Sequence, residues 1–110
     1  NNVIPIQESF KGIACLIARS EKRVLIDSFC QHTAFALGKK STVLWIVNNP
    51  RVFGYSLHDN ILANPENGKG DLKFSLFSKY TITGMLNEFP YLSENDIFDV
   101  DKVIQSVKNQ

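Results

Sequence analysis

The stretch from Val24 to Val47 constrains the fold more than any other part of this sequence. Val24-Leu25-Ile26 is a short apolar run that ends in Asp27-Ser28. An Ala-containing segment follows at once, from about Phe29 to Leu37, and stops at Gly38, a residue suited to the left-handed cap of a helix. After the basic turn Lys39-Lys40-Ser41 comes a second apolar run, Thr42 to Val47. Consecutive apolar residues of this length suit strands covered on both faces, and strand–helix–strand units make parallel sheets with right-handed crossovers. The unit gathers Asp27, Ser28 and the N–H groups of a helix's first turn where a strand ends. In open parallel sheets that edge is where ligands bind, and a helix N-terminus favours anions such as phosphate.

The flanking sequence extends this pattern. Val3-Ile4-Pro5-Ile6 reads as a short strand, placed at an edge because Pro5 has no N–H to give to a ladder. Ser9 is a candidate N-cap for a helix over roughly Phe10 to Ser20. Phe10, Ile13, Ala14, Ile17 and Ala18 form its apolar face, and Cys15 is expected on that apolar side, buried. Arg23 to Asp27 is the next strand, then the helix from Phe29 and the strand Thr42 to Val47, giving β-α-β-α-β. Asn48 to Tyr55 reads as a loop, Ile61-Leu62-Ala63 as a short fourth strand, and Asn64 to Asp71 as a turn region. Leu72 to Pro90 is ambiguous; its aromatics Phe74, Phe77, Tyr80 and Phe89 are expected to cover the sheet. A last helix begins at Asp99 or Asp101, with Val100, Val103, Ile104 and Val107 on one face. The expected fold class is α/β, a small Rossmann-like parallel sheet of three to four strands with flanking helices, in a single domain over residues 1–110.

Composition narrows the function classes. The 110 residues are 44% apolar, enough for a core, and the formal charge is +1, with no Lys/Arg block to track a nucleic-acid backbone. No apolar stretch approaches a membrane span, and there is no signal-peptide pattern. The two cysteines form neither a CxxC nor a metal-type spacing, so a reducing, cytoplasmic setting is expected, with no structural zinc. Cys30, in the first turn of the second helix, reads as a partly buried helix residue, with a reactive thiol as the alternative. A start at Asn1-Asn2 rather than Met reads as a fragment or a processed or trimmed chain. There is no P-loop, no G-x-G-x-x-G and no G-x-S-x-G. His58-Asp59 reads as a loop feature, Gly68-Lys69-Gly70 as a turn, and Lys39-Lys40 as a solvated helix exit.

Three segments carry a family resemblance. They are Ser9-Phe10-Lys11-Gly12-Ile13-Ala14-Cys15-Leu16-Ile17-Ala18-Arg19-Ser20, Val24-Leu25-Ile26-Asp27-Ser28, and His32 with Ala34-Phe35-Ala36-Leu37-Gly38-Lys39. In this order they resemble the C-terminal half of GT-B glycosyltransferases of family 9, the heptosyltransferase type. The closing helix around Asp101 to Val107 resembles that family's last helix. Asp27, Ser28 and His32 match the family's Asp-Ser/Thr-Gly loop and its following His. Phe29 stands where the family has Gly, and Cys30 and Gln31 also depart from its pattern.

The resemblance implies part of a GT-B C-terminal domain that holds a nucleotide-diphosphate sugar donor for transfer to a saccharide acceptor. Asp27, Ser28, Phe29, Cys30 and His32 would form the donor site, with no catalytic residue, metal or cofactor in this chain. Asp27 is then either a helix N-cap or an acceptor for sugar hydroxyls, since like charge repels phosphate. Ser28 either caps the helix or bonds phosphate. His32 either packs on its helix or donates to a ligand oxygen. The resemblance also implies that the first strand lacks its usual neighbours, so it pairs directly with the second or with another copy of the chain, a homo-oligomer. The alternative function is a non-catalytic Rossmann-like binding or interaction module with a degenerate donor site, favoured by Phe29 and the aromatic-rich second half. A third is an unrelated flavodoxin-like domain binding another anion.

Overall fold

The structure is a computed structural model, and it describes residues 2–46, 48–64 and 93–110. The described elements run in the order α1 (Phe10–Arg19), β1 (Val24–Ile26), α2 (Phe29–Ala36), β2 (Thr42–Trp45), α3 (Pro50–Phe53), β3 (Asp59–Leu62), a 3-10 turn (Glu94–Asp96) and α4 (Val100–Lys108). The three strands make one parallel sheet in the order β1-β2-β3. This is the expected Rossmann-like α/β arrangement, with three strands among the described residues. The readings placed on the Pro65–Asp71 turn and on Leu72–Pro90 lie outside those residues.

Local sequence explains most boundaries. Ser9 caps α1, its Oγ accepting from the Gly12 N–H at 3.2 Å. Ser28 caps α2 in the same way through the Cys30 N–H, and Asp99 caps α4 through the N–H groups of Asp101 and Lys102. α2 ends before Gly38, which takes a φ of 65°. That left-handed conformation costs a glycine little and other residues more.

Register assigns the faces. Thr42 lies beside Val24 and Asp59, and Leu44 beside Ile26 and Ile61, so these residues share one face. α4 packs there, its Ser106 Oγ 2.6 Å from Thr42 Oγ1 in a fully enclosed contact. Val43 and Trp45 point the other way and are completely buried. Gly54, at the end of α3, lies close to the Trp45 ring, while α2 packs on β1 with α1 against it. The Trp45 indole N–H donates to Asn60 Oδ1 at 2.9 Å, which locks β2 to β3 on that face.

Four expectations are corrected. Residues Val3 to Ile6 form no strand; the free edge of β1 is left unpaired by them, and Val3 stands 81% exposed. Asn48 to Tyr55 is not all loop: Asn49 caps the four-residue α3, with Pro50 in its first turn. Cys15 is exposed, because the buried side of α1 centres on Ile17. β1 is not covered on both faces, since Val24 is 48% and Ile26 63% exposed. Being at the edge of the described sheet, β1 extends past the reach of α4, which packs on β2 and β3.

Candidate functional site

Asp27 follows the last residue of β1, at the C-terminal edge of the sheet. It is not the cap of α2; that role falls to Ser28, whose Oγ accepts from the Cys30 N–H at 3.2 Å. Two amides hold the Asp27 carboxylate instead. Gln31 Nε2 donates to Oδ1 at 3.3 Å, and Asn48 Nδ2 donates to Oδ2. Asn48 lies just beyond β2, so the carboxylate ties the ends of two neighbouring strands together. A carboxylate accepts about four hydrogen bonds, so one amide on each oxygen leaves lone pairs for a ligand.

A cavity of about 250 Å³ opens beside this carboxylate, lined by Ile26, Asp27, Leu44, Ile46, Asn48 and Phe98. Four of its walls are apolar side chains, and the polar groups sit together on one side. Ligand sites generally combine an apolar lining with a few such convergent polar groups, and this volume suits one ring rather than a whole dinucleotide. A larger groove of about 730 Å³ runs between β3 and α4, away from Asp27, and is lined by polar residues such as Asp99, Lys102 and Gln105.

The other expected site residues are placed differently. The N–H groups of Cys30 and Gln31 already bond to Ser28. The Phe29 ring, 37% exposed, meets Phe10 of α1 edge to face with centroids 5.0 Å apart. Cys30 is half-buried. His32 is drawn to the flank of α2, where Nδ1 lies 2.8 Å from the Tyr55 hydroxyl. Tyr55 in turn stacks on Phe35 at 3.8 Å, nearly parallel. Asp27, Ser28 and the first turn of α2 are therefore adjacent, and His32 belongs to a neighbouring aromatic cluster.

Two buried residues complete the site: Gln31, read from the sequence only as a departure from the family pattern, and His58, read with Asp59 as a loop feature although Asp59 opens β3. Gln31 is fully buried; besides Asp27, its Nε2 donates to the Phe53 carbonyl at 3.0 Å. His58 is also buried, and its Nε2 donates to the Gln31 carbonyl at 2.9 Å. Gln31 Oε1 and His58 Nδ1 have no partner among the described residues. An unpartnered buried polar atom costs about 1–3 kcal/mol, which marks this corner as one not built for stability alone. The available signal was spacing: Gln31 sits four residues after Asp27, one helical turn along the same side. Among the described residues no group of three or more His, Cys, Asp or Glu side chains could hold a metal ion, and no helix is long and apolar enough to cross a membrane. No family model matches this chain, and neither a curated protein nor a solved structure matches it.

Proposed function

We propose that this chain is the donor-binding portion of a glycosyltransferase, taking a nucleotide-diphosphate sugar whose sugar is transferred to a saccharide acceptor. The observation that carries this reading is the Asp27 carboxylate, held by two amides at the end of β1 beside a largely apolar cavity. Amide donors orient a carboxylate without neutralising it. Its open lone pairs therefore favour hydrogen-bond donors, which ligand hydroxyls supply and phosphates do not. The apolar walls fit the face of a ring. Ser28 and the Phe29 N–H lie one step along the chain, at the positive end of α2, where a diphosphate would be favoured. The acceptor and the reacting groups would come from outside this chain, so the 110 residues alone should not transfer sugar.

The test is an amide NMR titration of the labelled chain with ADP, UDP and GDP. The expected outcome is saturable shifts centred on Ser28 to His32 and reaching Asn48, with the preferred base narrowing the choice of donor. A dispersed spectrum that none of the three moves would overturn the reading. Efficient sugar transfer by the purified chain would overturn its non-catalytic part.

One observation favours a second reading, an interaction module with no donor. The exposed Phe10–Phe29 pair sits beside the first turn of α2, where bound phosphate would compete with it for access. An unmoved spectrum in the titration would select this reading.

A further inference from the structure

We infer that Gln31 is the positioning residue of this site, the side chain that aims the Asp27 carboxylate at a ligand; the inference rests on the donor-binding reading above. Gln31 has no exposed surface, yet only one end of its amide is bonded. Nε2 serves two acceptors, Asp27 Oδ1 at 3.3 Å and the Phe53 carbonyl at 3.0 Å. That orientation is forced. Turning the amide over would set Oε1 against a carboxylate oxygen and a carbonyl oxygen, neither of which can donate.

A helix position that only had to fill this volume would hold Leu or Met, with no oxygen left unbonded. The amide is therefore poor packing and good orientation. Its two bonds reach in different directions. One goes to the end of β1 and the other to the end of α3, while its own carbonyl accepts from His58 just before β3. The direction of the Asp27 carboxylate is thus set jointly by α2 and by the segment that follows β2. Asn48 fixes the second carboxylate oxygen, so losing Gln31 frees the group to rotate about its remaining tie.

A double-mutant cycle on the full chain tests this, with calorimetric titration of ADP, UDP and GDP into wild type, Gln31→Met, Asp27→Asn and the double variant. Methionine matches the length of glutamine and removes the donor. Gln31→Met should weaken binding about tenfold while leaving the melting temperature within a few degrees, and should add nothing in the Asp27→Asn background. Equal losses in both backgrounds, or unchanged affinity in Gln31→Met, would overturn the inference. A wild-type measurement stands beside the cycle in case the variant does not fold. The side-chain NH₂ resonances of Gln31 should shift on saturation with whichever diphosphate binds, and resonances that stay fixed would overturn the inference too. Wild type that binds none of the three fails the donor-binding reading itself and this inference with it; wild type that binds while Gln31 stays indifferent fails this inference alone.

Discussion

At the scale of single residues, the hydrogen bonds that matter most join positions far apart in the chain. The Gln110 side chain takes the Arg23 N–H at 2.8 Å and gives its own N–H groups to the Arg23 carbonyl at 2.7 Å and to Thr42 Oγ1 at 2.8 Å. It acts as a short piece of strand laid against the start of β1. Lys22 adds bonds to the carbonyls of Lys108 and Gln110. Gln110→Ala removes three bonds at a half-buried position, which water then partly re-pairs. The expected loss is about 1–2 kcal/mol of unfolding free energy. Trp45, the one tryptophan and fully buried, reports it through fluorescence in a urea titration. An unchanged midpoint would show that the tie forms without stabilising the fold. No local pattern announces such a residue, because its partner lies 87 positions away. The same limit applies at the site. Asp27 and Ser28 stand out because a strand end followed by a helix start is a local signal. Gln31 and Asn48 gain their meaning only when the loop after β2 comes back to them.

At the scale of elements, legibility follows how local the cause is. The ends of α1, α2 and α4 were readable because Ser9, Ser28, Asp99 and Gly38 act on their immediate neighbours. The start of α3 has an equally local cause, the Asn49 side chain accepting from the Arg51 N–H at 2.9 Å, yet the segment read as a loop because the helix is only four residues long. Strands are different, because a strand exists only with a partner. Val3 to Ile6 has the composition and no partner, whereas Asp59–Leu62 begins with two polar residues and pairs along its whole length. One glycine shows how tightly α3 is set against the sheet. A Cβ at Gly54 would lie 2.6 Å from the Pro50 carbonyl oxygen and 3.1 Å from the Trp45 ring. The first neighbour is backbone and the second is a fully buried ring, so neither yields cheaply. Gly54→Ala should cost about 1–3 kcal/mol. Gly38→Ala meets open space and bears only the left-handed backbone, about 1 kcal/mol. Urea midpoints of the two variants check the ranking, and equal losses would contradict the close approach at Gly54.

At the scale of the whole molecule, stability is distributed unevenly across the sheet. β2 has a strand on each side, α4 over one face, fully buried Val43 and Trp45 on the other, and a polar tie from Thr42 to Ser106 within the core. β1 has one described strand neighbour, and its Val24 and Ile26 side chains lie on a face that α4 leaves open. Its start depends on the Gln110 side chain, so β1 and the end of α4 should come apart together while β2 and β3 stay paired. Native-state hydrogen exchange separates the two levels. The β2 amides should exchange only by global unfolding, with the largest free energy in the molecule. Those of Arg23 to Ile26 should exchange by a smaller opening, and the Gln110→Ala variant should lower their protection more than that of β2. Residues 3–9, exposed and outside every element, should exchange fastest. Equal protection across β1 and β2 would mean that the open face of β1 is covered in solution. That result would bear on the site as well, because Ile26 is both the most exposed residue of β1 and a wall of the cavity beside Asp27. A ligand seated there should raise the protection of β1 toward that of β2, so the same exchange experiment with a saturating diphosphate reads binding as the closing of this gap.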